Sequence, residues 1–244
     1  MSRLASRANV APYQAYRAAT PNPLTVVPWT AAYWAGDPSW SNPGDGNAVS
    51  SWRDGTGNGY TLAQGTGGAQ PTFRASVTNL NGQPGVDLDG GDWMSVATPA
   101  FTQPLSLVVV VDMVSVTGTP VIVDAGSVGR AALFANAPTN VWAWYLGTAA
   151  VTTTYAATTG AHAIRAVANN ASSSITQNMR TTTGTLGSAT GFTGITLGAL
   201  IGGASNRATM RVGFAGWYSG DVTAHAGWPD LVSAIGHLYR LNLA

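Results

Sequence analysis

Apolar and polar residues alternate over short stretches of this chain, and turns rich in glycine and asparagine separate the stretches. Such alternation is typical of strands that bury one face. Residues 105–114 differ because they are apolar at nearly every position until Asp112, which predicts a strand buried on both faces. The other strand candidates are residues 30–35, 120–125, 130–136, 141–146, 149–155, 161–169, 173–179, 194–202 and 209–218. The pattern predicts about a dozen short strands in antiparallel order.

The periodicity changes after residue 220. Leu231, Ile235, Leu238 and Leu241 recur at helical spacing, and Pro229 suits the first turn of a helix. We therefore expect a short carboxy-terminal helix. No repeat of about 20–50 residues is visible, which argues against a solenoid or a propeller.

Residues 47–96 hold the clearest turn signals. The run from Arg53 to Gly59 (RDGTGNG) combines glycines, which adopt positive φ at no steric cost, with Asp and Asn, whose side chains bond to nearby backbone. Asn81-Gly82 is a strong tight-turn dipeptide. Strand-like pieces flank both turns, so this stretch predicts antiparallel strands that each bury one face.

The same stretch resembles the opening of concanavalin A-like (laminin-G-like) jelly-roll domains. Those domains carry a W-x-D-x-(S/T)-G-N-G element, a P-x-(F/Y) strand and N-G-x-P-x-V-x-(F/L)-D-G before the next strand. The residues that lie on this pattern are Trp52, Asp54, Gly57, Asn58, Gly59, Pro71, Phe73, Asn81, Gly82, Pro84, Val86, Leu88, Asp89 and Gly90. The resemblance implies an all-β protein, a concanavalin A-like jelly-roll β-sandwich, which here has an extended amino-terminal arm and a short carboxy-terminal helix.

The number and type of charged residues limit the classes of partner that the protein can bind. Charged residues make up 9% of the chain, every basic residue is Arg and every acidic residue is Asp. The Arg residues are scattered and form no basic stripe, which argues against nucleic acid as a partner. The longest apolar run is too short to span a bilayer, so we expect no membrane association. The chain has no cysteine, which excludes disulfides and thiolate metal sites.

Residues 1–28 differ from the rest and are predicted to form an arm, with the sandwich in residues 29–244. The arm combines Arg3, Arg7 and Arg17 with Tyr13 and Tyr16, and it contains no acid. One interpretation is a solvated tail. The other is an assembly anchor that becomes ordered on a partner subunit, and we favour it because aromatic residues are unusual in a tail that stays solvated.

Glycoside hydrolysis usually needs two carboxyl groups, one with a raised pKa. Catalytic relatives of the resembled family carry a Glu-x-Asp-x-x-Glu strand, and this chain contains no Glu. Asp112 and Asp124 lie singly on different strand candidates. We therefore expect that the protein is not an enzyme.

Calcium is the one candidate ion, and no other cofactor is expected. Asp87, Asp89 and Asp92 lie close together in the sequence, and carboxylates with loop carbonyls suit this hard cation. The alternative is that these Asp residues only stabilise turns.

Sugar binding is plausible because flat aromatic faces stack on pyranose rings. The candidate carbohydrate-binding residues are Trp142 and Trp144, which lie on one face of a predicted strand, Tyr145 of the same strand, and Trp40 and Trp93, which lie next to glycine-rich loops. The alternative is that each of them fills the sandwich core or a subunit interface.

Two functions follow. Jelly-roll domains of the resembled kind that lack catalytic residues recur in bacteriophage head and tail proteins, which implies a non-enzymatic virion structural protein, either a minor tail or a capsid decoration subunit. Its partners would be other virion proteins and copies of itself, and it would assemble in the host cytoplasm and be exposed on the particle. The alternative is an adhesin that binds host-surface glycans. A glycan-degrading enzyme ranks below both.

Overall fold

Two eight-stranded antiparallel sheets account for the strands in a computed structural model that describes residues 21–126, 130–137, 139–188 and 192–243. The strands are β1 (Ala31–Trp34), β2 (Ser51–Trp52), β3 (Leu62–Ala63), β4 (Thr72–Val77), β5 (Gln83–Asp89), β6 (Met94–Val96), β7 (Leu105–Met113), β8 (Val121–Ala125), β9 (Ala131–Asn136), β10 (Val141–Leu146), β11 (Ala149–Ala156), β12 (Gly160–Ala168), β13 (Ser173–Gln177), β14 (Arg180–Gly184), β15 (Ile195–Leu197) and β16 (Thr209–Tyr218). The α-helix of these residues is α1 (Trp228–Tyr239).

Sheet I has the strand order β14-β13-β12-β7-β16-β5-β4, and β1 pairs with β16 beyond the end of β5. Sheet II has the order β11-β10-β9-β8-β15-β6-β3-β2. Strands that are distant in sequence therefore lie side by side, as β7 does with β12 and β16. The two sheets lie face to face, and residues of both form one core between them.

The core between the sheets is built from the inward faces of both. All nine residues of β7 are buried, which confirms the prediction of a strand covered on both faces. The larger side chains come from aromatic residues, including Trp52, which stacks on Trp40 with ring centroids 5.7 Å apart. The predicted all-β sandwich with a short carboxy-terminal helix is confirmed.

A second apolar layer covers the outer face of sheet I. Leu231 and Ile235 of α1 pack there together with Leu24 and Val27, which lie in the described end of the predicted arm. Trp29 joins them, and its ring centroid lies 5.5 Å from that of Phe214. The chain entering β1 is thus held against the sheet by apolar contacts.

Asp54, the acid of the W-x-D element described above, stabilises the turn that follows β2. Its side chain is 2% exposed and accepts hydrogen bonds from the backbone N–H groups of Ala32 (3.1 Å), Thr56 (3.0 Å) and Tyr60 (3.2 Å). The Thr56 hydroxyl also donates to it. One buried carboxylate therefore ties the turn to β1.

The prediction of a strand over residues 194–202 is wrong at its carboxyl end. β15 stops at Leu197 because Gly198 has a φ of +85°, in the region that glycine tolerates. A Cβ at Gly198 would lie 2.1 Å from Leu88. The chain leaves the sheet here, and Ile201 is 37% exposed.

Candidate functional site

The outer face of sheet II carries a groove between two aromatic side chains and a loop. It has a volume of about 280 Å³, and we call it the sheet II groove. Its lining residues are Thr119, Val121, Arg130, Phe134, Tyr145, Leu200 and Asn206. The volume lies just below the range of about 300–1,000 Å³ that is typical of small-molecule sites. The groove therefore has room for a small ligand.

Strand alternation places the two aromatic rings on this face. In β10 the side chains of Trp142 and Trp144 point into the core, so Tyr145 points outward. Phe134 of β9 pairs with Ala143, two residues before Tyr145, so the two half-buried rings are diagonal neighbours on the outer face.

Val121 lines the groove, and the small residues Ala132 and Ala143 lie beneath the same face of sheet II. Val121, Ala132 and Ala143 are 0–1% exposed, yet they belong to neither apolar core. Ala132 pairs with Asp124 on one side and with Tyr145 on the other. Because these side chains are short, the larger groups around them form walls.

Arg130 forms a polar wall of the groove, and the buried Asp124 lies behind it. The Asp124 carboxylate is 1% exposed and accepts hydrogen bonds from Arg130 Nε (3.2 Å) and the Ile201 backbone N–H (3.0 Å). Burial raises the pKa of Asp124, although the Arg130 charge and the hydrogen bonds oppose the rise. The Arg130 side chain is 38% exposed and lines the groove, and the buried acid holds it in place.

The loop after β15 forms the opposite wall. Asn206 fixes it to β8, since its backbone oxygen accepts from the Val121 N–H (2.8 Å) and its Nδ2 donates to the Thr119 oxygen (3.1 Å). The Gly202 N–H lies 3.4 Å from Thr196 Oγ1. The groove is therefore built from hydrogen-bonded elements on both sides.

The four Trp residues predicted to bind sugar have two kinds of environment. Trp142, Trp144 and Trp40 are 0–6% exposed and belong to the core between the sheets. These three indoles present no face to a ligand, and their position matches the core-filling alternative. Trp93 is half-buried and packs against Gly203, in the loop that bounds the sheet II groove.

Sequence reasoning missed Phe134 and Arg130, whereas Tyr145 was among its sugar-binding candidates. The alternation in β10 predicts the orientation of Tyr145. Trp142, Trp144 and Leu146 alternate with it along the strand, so Tyr145 lies on the opposite face. The pairing of Arg130 with Asp124, six residues earlier, depends on a hairpin that the sequence did not predict in detail.

The three Asp residues of the predicted calcium site have separate partners. Asp87 forms ion pairs with Arg74 (2.9 Å) and Arg211 (3.4 Å). Asp89 accepts from the Gly91 N–H (2.7 Å), and Asp92 accepts from the Asp89 N–H (3.1 Å). Within the described ranges no group of three or more His or Asp residues is placed to hold a metal ion. The turn-stabilising alternative describes these contacts, and calcium stays a prediction.

We expect Asp92→Asn to raise the free energy of unfolding at neutral pH and to change it little near about pH 4. Burial, with the charges of Asp89 and Asp87, raises the pKa of Asp92 to about 6. Stability from the protonated carboxyl is therefore fully present below its unfolded pKa and is lost as the pH rises through about 6. Asn stays neutral throughout. Urea unfolding of both proteins across this pH range measures the difference.

A difference between the two proteins that does not vary with pH would contradict this account of Asp92. Repeating the unfolding with calcium and with a chelator tests the ion as well. Calcium bound by the three carboxylates would stabilise the wild type and not Asp92→Asn.

The predicted assembly anchor residues Arg3, Arg7, Tyr13, Tyr16 and Arg17 lie outside the described residues. Among the residues that are described, no helix is long and apolar enough to cross a membrane.

No protein-family model and no curated protein sequence matches the chain. Its fold is similar to domain 4 of a GH43 extracellular arabinanase from Geobacillus stearothermophilus, solved in complex with arabinotriose. The TM-score is 0.59 and the identity 14%, over 86% of this chain and 98% of that chain. At this identity the likeness shows the fold, a β-sandwich.

Two further solved structures match smaller parts of longer chains. A Trypanosoma rangeli sialidase in complex with sialic acid has a TM-score of 0.53 at 13% identity, over 90% of this chain and 34% of that chain. The binding domain of botulinum neurotoxin serotype G has a TM-score of 0.53 at 11% identity, over 76% of this chain and 50% of that chain. This chain therefore corresponds to about a third of the sialidase and half of the toxin domain.

The comparisons correct one expectation. The prediction that the protein is not an enzyme is wrong, because its structural neighbours include one domain of a GH43 arabinanase and about a third of a sialidase chain. That prediction rested on the absence of Glu and on the isolation of Asp112 and Asp124. Asp112 is bound on sheet I by Arg211 (2.8 Å), whereas Asp124 is ion-paired with Arg130 beside the groove (3.2 Å).

Proposed function

We propose that this β-sandwich binds carbohydrate in the sheet II groove. The observation that carries the proposal is the pair of adjacent, half-buried rings of Phe134 and Tyr145 beside the ion-paired Arg130. Aromatic faces suit the apolar faces of sugar rings, and planar polar groups at the edge suit their hydroxyls. Arg130 and Asn206 supply such groups on opposite walls.

The structural neighbours support this reading over assembly alone. The arabinanase domain was solved with arabinotriose, and the sialidase with sialic acid. Both ligands are carbohydrates, and the alternative function from the sequence was glycan binding. Neither ligand identifies the sugar that this chain binds, because the residues that line a groove vary freely on a shared fold.

The virion role stays a prediction from sequence. It concerns assembly through residues 1–28, exposure on a particle, and partners that include other virion proteins and copies of this chain. None of the three structural relatives described above supports it. Glycan binding and attachment to a larger assembly are compatible in one protein.

The test is affinity electrophoresis through gels that contain arabinan, xylan, a β-glucan or a sialylated mucin. We expect at least one of these polymers to retard the wild type, and Tyr145→Ala to weaken that binding at least tenfold, about 1.4 kcal/mol. Tyr218→Ala is the matched control, since Tyr218 is a half-buried tyrosine on sheet I.

Two results would overturn the proposal. One is free migration of the wild type in all four gels. The other is retardation of Tyr145→Ala equal to that of the wild type, with both variants folded by circular dichroism. Release of reducing ends from the retarding polymer shows whether binding is accompanied by cleavage.

A further inference from the structure

A second and larger groove lies between α1 and the outer face of sheet I, and we call it the helix groove. Its volume is about 780 Å³, within the range of about 300–1,000 Å³ that is typical of small-molecule sites. Apolar side chains form most of its walls: Val108, Met179, Val232, Ile235, Leu241 and Leu243. Met179 is 55% exposed, so the groove opens to solvent.

One cation, Arg165 of β12, contributes to this apolar lining. Its Nη2 donates to Thr176 Oγ1 at 2.7 Å, and its guanidinium carbon lies 5.2 Å from the centroid of the Trp228 ring. These two contacts fix the plane of the guanidinium. Its Nε is buried and has no hydrogen-bond partner among the described residues.

The charge of Arg165 is also unmatched. Within the described residues it forms no ion pair, and no Asp lines the helix groove. Asp221 acts on it from a distance, but the Asp221 carboxylate accepts from the backbone N–H (2.9 Å) and the hydroxyl (2.7 Å) of Thr223. Burial lowers the pKa of Arg165, which reflects the cost of holding this cation without an anion.

We propose that the helix groove binds an amphiphilic carboxylate, a carboxyl group attached to an apolar chain. The carboxylate would accept from a guanidinium N–H of Arg165 in the groove, which supplies the counter-charge that this cation lacks. The apolar chain would lie along the walls that Val232, Ile235 and Leu241 form.

The chemistry of the groove selects this class of ligand. A sugar would leave its hydroxyls against apolar walls. An uncharged hydrocarbon would leave the charge of Arg165 without a counter-ion. Only a ligand with one anionic end and one apolar end matches both features of the groove.

Isothermal titration calorimetry of the full chain with sodium decanoate, below the concentration at which it forms micelles, tests the proposal. We expect saturable binding of one decanoate per chain, and binding of decanol at least tenfold weaker because the alcohol lacks the charge. Arg165→Gln should weaken decanoate binding at least tenfold and remove the preference over decanol. Arg180→Gln, on β14, which is separated from β12 by β13, should bind as the wild type does.

Val232→Phe serves as a second variant, because it fills the groove and leaves Arg165 in place, and it should lose decanoate binding too. Tyr145→Ala should bind decanoate normally, which separates this site from the sheet II groove. The proposal is overturned if decanoate gives no saturable heat, if decanol binds equally well, or if folded Arg165→Gln binds decanoate like the wild type. A dimer in sedimentation that buries the groove and excludes decanoate would also overturn it.

Discussion

Asp124→Ala is expected to abolish carbohydrate binding and to lower the free energy of unfolding by about 2–3 kcal/mol. Asp124 is 1% exposed and is the acceptor for Arg130 Nε and for the Ile201 N–H. Without it the Ile201 donor is left unpaired, and Arg130 loses the group that holds it at the groove. Neither Arg130 nor the loop after β15 is then held in place by this carboxylate.

Urea unfolding and affinity electrophoresis of the same protein samples measure the two effects. Asp124→Asn should be milder, since an amide oxygen still accepts from Ile201, but it should weaken binding because the charge that orients Arg130 is gone. Asp87→Ala is the control, since it breaks ion pairs with Arg74 and Arg211 on sheet I. It should keep sugar binding. Binding by Asp124→Ala at wild-type strength would contradict the role given to this acid.

Asp54→Ala is expected to destabilise the domain by about 3 kcal/mol or more without touching either groove. The change removes the acceptor for three backbone N–H groups and one hydroxyl. One of these donors belongs to Ala32, which is fully buried in β1, so water cannot replace the lost bond. We expect β1 to detach from the turn.

Thermal and urea unfolding test this, with Asp45→Ala as the matched control. Asp45 also accepts one backbone N–H, that of Ala75 (2.8 Å), but it is exposed, so its loss should cost less than about 1 kcal/mol. Asp54→Asn should fall between the two, because an amide retains one acceptor oxygen. Equal stability of Asp54→Ala and Asp45→Ala would show that the turn does not depend on this carboxylate.

Much of the fold can be predicted from the sequence because the periodicity of a strand is a local property. The alternation over β9, β10 and β16 and the unbroken apolar run of β7 each predict a strand close to its observed bounds. The turn around Asp54 is also local, since its main acceptor contacts lie within six residues, apart from that to Ala32. Helical spacing after Pro229 predicts α1, which begins at Trp228 and ends at Tyr239.

The two grooves are harder to predict from the sequence, because they depend on which strands become neighbours in the sheets. The spacing of Trp142 and Trp144 places both on one face of β10, but alternation alone does not say that this face is the core. Phe134 and Tyr145 become adjacent only through the pairing of β9 with β10, and Asn206 reaches them from a distant loop. Arg165 meets Trp228 across sixty-three positions of sequence, through the packing of α1 on sheet I.

The central claim is that the sheet II groove holds the sugar, and amide chemical-shift mapping with an oligosaccharide of the retarding polymer tests it most directly. The account predicts saturable shifts concentrated at Arg130, Phe134, Tyr145 and Asn206, with Arg165 and Trp228 unmoved. Shifts concentrated at the helix groove, or none at saturating sugar, would contradict it.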